Sequence, residues 1–176
     1  MYEFGNLIDG RWSSGSATTS ETFNPALPNT RVGIYLQADG KLVDAALEAA
    51  SREQRLWRAV PVGERLRNVE DFVAGVERHT DQLAAAITAE QGKPLAESCA
   101  EIGKACSESR HMLAHVMDAS GNRAAASVRP NVRNMIIRRP RGVIVAIAPW
   151  NFPVMTPMRK LVPALAFGNA ILLKPS

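Results

Sequence analysis

Disulfide frameworks, membrane-spanning runs and export signals are all missing from this sequence of 176 residues. The only two cysteines, Cys99 and Cys106, are too few for a small disulfide-bonded secreted protein, and buried, unreactive thiols are the favoured interpretation. No apolar run approaches the roughly eighteen residues that cross a bilayer, and residues 1–4 lack the basic and apolar regions of a signal peptide. These absences predict a cytoplasmic protein without a membrane partner.

Histidine is scarce, at three residues, which limits the possible metal sites. His111 and His115 are four apart and could clasp a metal on one helical face, with Glu108 as a third ligand. The glutamate that follows the first histidine in helical zinc proteases is missing, so a solvated helix face is favoured and no metal is expected. Glu97 and Glu101 are also interpreted as solvated acids rather than a catalytic pair.

Aromatic residues make up 6% of the chain, and none lies within its most basic stretch. That stretch gathers six arginines, namely Arg123, Arg129, Arg133, Arg138, Arg139 and Arg141. A nucleic-acid-binding arm would need aromatic side chains between the cations to stack on bases. The apolar residues 135–137 instead favour a strand with polar ends, and no nucleic-acid partner is expected.

A strand, helix and strand pattern stands at the carboxyl-terminal part of the sequence. Residues 143–148 are uninterrupted apolar and rich in β-branched types, which predicts a strand buried on both faces. Thr156 is an expected helix N-cap with Pro157 at the first helical position, and Gly168 is an expected left-handed stop before a second strand over 170–173. The result is one parallel βαβ unit with an expected right-handed crossover.

Asn151 and Lys174 follow the carboxyl ends of these two strands, where open α/β sheets bind their ligands. An asparagine amide can donate to a developing oxyanion, and a lysine can reach nucleotide hydroxyls or phosphates. Residue type alone favours a turn-capping asparagine and a solvent-exposed lysine. A P-loop is excluded because Leu173 and Pro175 flank Lys174, and no G-x-G-x-x-G fingerprint is present to indicate a dinucleotide.

Helical periodicity dominates the sequence from residue 39 to about 119. Pro61 opens a second helix, Gly92 ends a third, and Pro94 starts a fourth that is expected to run to about Met117 and to end at Gly121. Upstream, residues 1–38 combine short apolar pieces with polar turns, including a loop tip over 13–16. With 46% hydrophobic and 22% charged residues, the chain is expected to be a globular α/β protein.

Short sequence motifs along the whole chain resemble those of the aldehyde dehydrogenase superfamily. The matching segments are Asp9-Gly10-Arg11-Trp12, Asn24-Pro25, Trp57, Arg65, Glu90-Gln91-Gly92-Lys93-Pro94, Arg139-Pro140-Arg141-Gly142-Val143-Ile144, Pro149-Trp150-Asn151-Phe152-Pro153, Lys160, Pro163-Ala164-Leu165-Ala166, Gly168-Asn169 and Lys174-Pro175-Ser176. The resemblance implies the amino-terminal part of that fold. Its expected divisions are a hairpin and helical part over 1–122, an oligomerisation strand over 123–141, and the first βαβ unit of the NAD(P)-binding sheet over 142–176.

The resemblance also implies roles for individual residues. Asn151 would stabilise the oxyanion as a thiolate attacks the aldehyde. Lys174 would hold the adenosine ribose of NAD or NADP, with Ser176 beside it. The remaining cofactor contacts would come from a wall formed by Ile147, Ala148, Pro149 and Trp150.

The family oxidises aldehydes to acids through a cysteine thioester, and its nucleophilic cysteine and general-base glutamate lie beyond position 176. The chain as given is therefore expected to be inactive alone and to belong to a homo-oligomeric enzyme whose substrate is a small aldehyde. The sequence motif around Asn151, together with Lys160, resembles the corresponding motif of semialdehyde dehydrogenases. The alternative is a non-catalytic assembly or docking piece that associates through exposed strands.

Overall fold

Short strands form the first part of the chain in the computed structural model, which describes residues 2–13 and 18–176. Beyond Ser13, the loop tip expected over 13–16 lies outside the described residues. Strands β2 (Asn6–Ile8) and β3 (Arg11–Ser13) form the expected hairpin, whose turn has positive φ at Asp9 and Gly10, as type I′ turns require. Strand β5 (Leu27–Leu36) pairs with β1 (Tyr2–Phe4) in parallel and with β4 (Thr19–Asn24) antiparallel.

Helices follow, with bounds α1 (Gly40–Trp57), α2 (Val62–Arg78), α3 (Thr80–Gln91), α4 (Leu95–Ala114) and α5 (Val116–Ser120). Gly92 ends α3 in the left-handed conformation, as expected. The prediction of one fourth helix through Met117 is wrong. The His115 amide donates to the Met112 carbonyl, an i→i+3 bond that tightens the last turn of α4 and separates it from α5.

The hydrophobic core lies where α2, α3 and α4 pack together and against a later helix, α6 (Met155–Ala166). Its fully buried members include Val73, Ile102, Cys106 and Val162. Burial raises the pKa of the Cys106 thiol, while Cys99 is half-buried. The expectation of buried thiols is therefore confirmed for Cys106 and holds only partly for Cys99.

A two-stranded arm connects the helices to the βαβ unit. Strand β6 (Arg123–Ala125) pairs antiparallel with β7 (Asn134–Ile136), so the predicted strand over 133–138 is present but shorter. Apolar side chains of the arm are exposed, namely Val128, Val132, Met135, Ile136 and Ile137. An apolar surface of this kind is characteristic of an interaction site.

The βαβ unit consists of β8 (Val143–Ile147), α6 and β9 (Ala170–Lys174), and its two strands are parallel as predicted. Helices α1 and α6 pack on the sheet, and Ala146 is 1% exposed. The expected burial of both faces is wrong in this chain, because Val145 and Ile147, on the opposite face from Ala146, are 64% and 67% exposed.

The expected start of α6 also needs correction. The helix begins at Met155 with Val154 as its N-cap, and no side chain of the cap residue bonds to the helix. Thr156 and Pro157 lie inside the first turn. A carboxylate from another helix provides the missing cap, as described below.

Candidate active site

The carboxyl ends of β8 and β9 lie side by side. Ile147 is the register partner of Lys174, and the Ala148 amide donates to the Lys174 carbonyl over 3.1 Å. Parallel pairing therefore brings three of the predicted cofactor-contacting residues together at one edge of the sheet. Ser176 follows two residues later.

Asn151 lies in the loop between β8 and α6, and its side chain is exposed. Within residues 2–13 and 18–176, its carboxamide makes no hydrogen bond, whereas its backbone carbonyl accepts one from Lys93 Nζ over 3.0 Å. The backbone is thus held while the amide group stays available to a ligand. An amide in this state can donate to an oxyanion.

Three side chains from the helical section hold this loop. Gln91 Nε2 donates to the Trp150 carbonyl. The Lys93 ammonium lies 4.7 Å from the ring centroid of Phe152, within the range of a cation–π interaction. Trp150 itself is 73% exposed, so its indole forms an open aromatic wall.

Glu101 is the third of these side chains, and the sequence-based interpretation of it as a solvated acid is wrong. The residue is 4% exposed. Its Oε1 accepts from the amides of Val154 (2.9 Å) and Met155 (3.1 Å), which begin α6. Its Oε2 accepts from Lys93 Nζ over 2.6 Å. Glu97, in the first turn of α4, is exposed, as expected.

The other end of α6 is held by donors that come from α1 and α2. Trp57 Nε1 donates to the Leu165 carbonyl over 2.8 Å, and Gln54 Nε2 donates to the Gly168 carbonyl over 3.0 Å. Arg65 Nε donates to the Ala166 carbonyl over 3.2 Å. The guanidinium also donates through Nη1 to the Arg58 and Val60 carbonyls, and burial lowers the pKa of Arg65.

Asn169 joins the two strands of the unit at their amino ends. Its Oδ1 accepts from the amides of Arg141 (2.6 Å) and Gly142 (3.1 Å), and its Nδ2 donates to the Ala164 carbonyl over 3.1 Å. Gly168 has φ of +83°, so the predicted left-handed stop is confirmed. Asn169 is thus a structural link, far along the strands from Asn151.

An open cleft of about 350 Å³ adjoins the Asn151 loop, lined by Thr22, Pro25, Glu90, Gln91, Trp150 and Ser176. Tyr35 donates to Glu90 Oε1 over 2.8 Å beside it. Desolvation by burial, together with Glu90, raises the pKa of the Tyr35 phenol, so it remains a donor at neutral pH. Trp150 and Ser176 therefore line the same cleft.

Other candidate sites are less well formed. The rings of His111 and His115 lie 4.7 Å apart, edge to face, and among residues 2–13 and 18–176 no group of three or more His, Cys, Asp or Glu side chains could hold a metal.

Over the same described ranges, no helix is long and apolar enough to cross a membrane.

Comparison with known proteins identifies the family to which this chain is similar. Residues 12–176 match the model of the aldehyde dehydrogenase family. The chain belongs to this family. Its α/β fold corresponds to the amino-terminal part of the aldehyde dehydrogenase fold, as the sequence predicted.

Several of the similar curated aldehyde dehydrogenases are named for semialdehyde substrates, and two of them serve as examples. The α-ketoglutarate semialdehyde dehydrogenase of Haloferax volcanii is 34% identical over 172 residues, covering 97% of this chain and 36% of the relative. The NADP⁺ succinate-semialdehyde dehydrogenase of Escherichia coli is 34% identical over 175 residues, covering 97% and 35%. The chain thus spans about a third of the length of the curated aldehyde dehydrogenases it matches.

Solved structures give the same result. A putative methylmalonate-semialdehyde dehydrogenase from Sinorhizobium meliloti, complexed with NAD, superposes with a TM-score of 0.92 at 32% identity, covering all of this chain and 36% of that one. Lactaldehyde dehydrogenase from Escherichia coli superposes with a TM-score of 0.93 at 27% identity, covering 99% and 36%.

Proposed function

We propose that these 176 residues form part of an NAD- or NADP-dependent aldehyde dehydrogenase in which Asn151 stabilises the oxyanion. The observation that carries this proposal is the state of Asn151 itself. Its exposed carboxamide is without a partner in the described part of the chain, and its backbone is held by Lys93. An oxyanion donor has to be unoccupied and carried on a held backbone, and within the described residues Asn151 has both features.

In the proposed reaction, a cysteine thiolate attacks the aldehyde carbon and the carbonyl π electrons move to oxygen. The Asn151 Nδ2–H group donates a hydrogen bond to that oxygen and stabilises its negative charge. The hydride then leaves the carbon, a thioester results, and water releases the carboxylic acid. The thiolate comes from neither Cys99 nor Cys106, because Cys106 is buried in the core and Cys99 lies on α4 with it. We therefore expect the isolated 176-residue chain to be inactive.

The residues at the sheet edge fit a dinucleotide. Lys174 is exposed and makes no ion pair within the described ranges, so its ammonium is available to ribose hydroxyls or phosphates. Ile147 and Trp150 offer exposed apolar surface on the same edge, beside the backbone of Ala148 and Pro149, and Ser176 offers a hydroxyl at the cleft. When bound, NAD or NADP would accept the hydride from the aldehyde carbon.

A semialdehyde is the proposed substrate class, and homo-oligomerisation is the proposed assembly. Several similar aldehyde dehydrogenases are named for semialdehydes, including those from Haloferax volcanii and Escherichia coli. The exposed apolar side chains of the β6–β7 arm supply the surface through which copies would pair.

A docking role is the second candidate, and the exposed face of the β8–β9 sheet favours it. Val145 and Ile147 leave exposed apolar surface on one face, and the half-buried Leu172, the register partner of Val145, lies on the same face. Two strands alone form a marginally stable sheet, and in this second candidate function a partner would cover the exposed face. Docking without catalysis predicts that no aldehyde is oxidised by the complete gene product.

The test is a single-turnover assay of the complete gene product with NAD or NADP and a panel of aldehydes that includes semialdehydes. The variant Asn151→Ala should lower the rate of NAD(P)H formation about 10²- to 10³-fold, the usual loss of one oxyanion donor. The matched control Asn122→Ala, at an exposed loop position, should leave the rate unchanged. Equal rates for Asn151→Ala and the wild type would overturn the assignment of Asn151.

A further inference from the structure

We propose that Lys93 and Glu101 are positioning residues that fix the Asn151 loop for the reaction. The two side chains act on the loop backbone and on the first turn of α6, without touching the Asn151 carboxamide. The inference rests on the proposed function for its catalytic consequence. Its structural consequence can be measured separately.

The Lys93 ammonium contacts two neighbouring residues of the loop. It donates to the Asn151 carbonyl over 3.0 Å and lies above the ring of Phe152 at 4.7 Å. Its third contact is Glu101 Oε2, at 2.6 Å. Two of the three N–H donors of the ammonium are thus hydrogen-bonded, and its charge also faces the ring of Phe152.

Glu101 connects the same ammonium to the start of α6. The carboxylate accepts two of the backbone N–H groups that a helix leaves unpaired at its amino end, those of Val154 and Met155. A negative charge at this end is favoured by the helix dipole. The side chains of Lys93 and Glu101 are 15% and 1% exposed, so solvent screens the interaction weakly.

Asn151 is consequently enclosed between two fixed points. On one side Gln91 holds the Trp150 carbonyl, and on the other side Glu101 holds the Val154 amide. Lys93 pins the Asn151 carbonyl between them. Every clamping contact goes to backbone or to Phe152, which fixes the loop while leaving the carboxamide free to meet a substrate. A misplacement of about 1 Å at such a group can cost about 10²-fold in rate.

A double-mutant cycle on the complete gene product separates positioning from general stabilisation. We expect Lys93→Met to lower the single-turnover rate about 10- to 100-fold, since the loop can then move by a fraction of an ångström or more. In an Asn151→Ala background the same substitution should lower the rate less than about threefold, because the group it positions is gone. Lys93→Arg, which keeps a cation, should restore most of the rate.

The matched control is Lys104→Met, which removes an exposed lysine of α4 that lies 3.9 Å from Glu108. It should leave the rate unchanged in both backgrounds. Losses of equal size for Lys93→Met with and without Asn151 would overturn the positioning role, and so would a Lys93→Met enzyme with the full rate.

Amide hydrogen exchange provides the readout that does not need activity. In Lys93→Met, the amides of Val154 and Met155, which donate to Glu101, should exchange about tenfold faster than in the wild type, while those of the α3 interior stay unchanged. Unchanged exchange at the Val154 and Met155 amides would overturn the clamp. If no aldehyde is oxidised by the wild type but exchange rises as expected, the proposed function fails while the clamp on the loop stands.

Discussion

The two ends of α6 are held in different ways. At the amino end, one carboxylate, Glu101, accepts from two backbone amides and is paired with Lys93. At the carboxyl end, separate donors of Gln54, Trp57 and Arg65 each reach a different backbone carbonyl. The first arrangement concentrates the function of a cap in one residue, and the second distributes it among several.

The difference matters because each end adjoins a different part of the unit. The amino end carries the Asn151 loop, and the carboxyl end carries Gly168 and the entry to β9. In both cases the charges complement the helix dipole, with an anion at the amino end and a cation at the carboxyl end. We therefore expect single substitutions to affect loop position most at the amino end and global stability most at the carboxyl end.

Removal of Arg65 should have the largest effect on stability. Arg65→Met leaves the carbonyls of Arg58, Val60 and Ala166 without their side-chain donor in a site where Arg65 is 8% exposed. The free energy of unfolding should fall by about 3 kcal/mol, as expected when buried polar groups lose a charged donor. Denaturant unfolding of the complete gene product measures it. Arg67→Met, at an exposed position of α2, is the control, and a loss no larger than the control's would contradict the prediction.

Neutralisation of Glu101 should come next. Glu101→Gln keeps an acceptor for the amides of Val154 and Met155 but removes the counterion of the mostly buried Lys93 ammonium. The expected loss of unfolding free energy is about 2 kcal/mol. Glu97→Gln, at an exposed position in the first turn of the same helix, should be close to neutral in the same denaturant titration. A Glu101→Gln protein as stable as Glu97→Gln would show that the charge of Glu101 does not stabilise this end of α6.

A side chain at Gly168 should destabilise the carboxyl end more moderately. Gly168→Ala forces an L-residue to φ of +83° and places a Cβ 3.1 Å from Pro140 Cγ. We expect a loss of about 1–2 kcal/mol. Gly103→Ala gives a control of opposite sign: its Cβ would meet nothing within 4 Å inside α4, and alanine should stabilise the helix by about 0.5–1 kcal/mol. Thermal unfolding that shifts both variants the same way would contradict the comparison.

The smallest effect is expected between the ends, at the exposed pair of Arg159 and Glu108. Arg159 Nε and Nη2 donate to the two oxygens of Glu108 over 2.7 and 2.9 Å, which holds the pKa of Glu108 below its ordinary value of 4.5. A lowered folded pKa means that the stabilisation is present above pH 4.5 and is lost as the pH falls through the folded pKa.

The small difference in Tm between the wild type and Glu108→Gln should therefore exist at pH 7 and vanish in acid. Solvent screening keeps this difference minor, because the side chains of Arg159 and Glu108 are 47% and 32% exposed. A difference that grows as the pH falls would have the wrong sign for this pair.

Sequence reasoning predicted the βαβ unit, the stop at Gly168 and the proximity of the residues that follow the two strands. These features depend on local signals, namely apolar runs, a glycine at a left-handed position and the parallel geometry that follows from a crossover. The cap of α6 could not be predicted in this way. Glu101 lies more than fifty residues before the amides that it binds, so an i, i+4 pattern with Glu97 gave the wrong interpretation.

The exposed face of β8 shows the same limit. An uninterrupted apolar run indicates that both faces of a strand can be buried, but not whether other elements of the same chain bury them. Val145 and Ile147 are exposed because α1 and α6 cover only the side of the sheet on which Ala146 lies. Whether another surface covers a strand depends on the tertiary structure, and the apolar run alone does not reveal it.

Hydrogen exchange at both ends of α6, in Glu101→Gln and Arg65→Met, tests most directly the claim that the two ends are held separately. We predict that Glu101→Gln speeds exchange of the Val154 and Met155 amides about tenfold, while the amides of residues 167–169 keep their wild-type rates. Arg65→Met should instead speed exchange of the amides of residues 167–169 and leave those of Val154 and Met155 at their wild-type rates. If each variant loosened both ends to the same extent, α6 would be held as one unit, and the separate roles assigned to its two ends would be wrong.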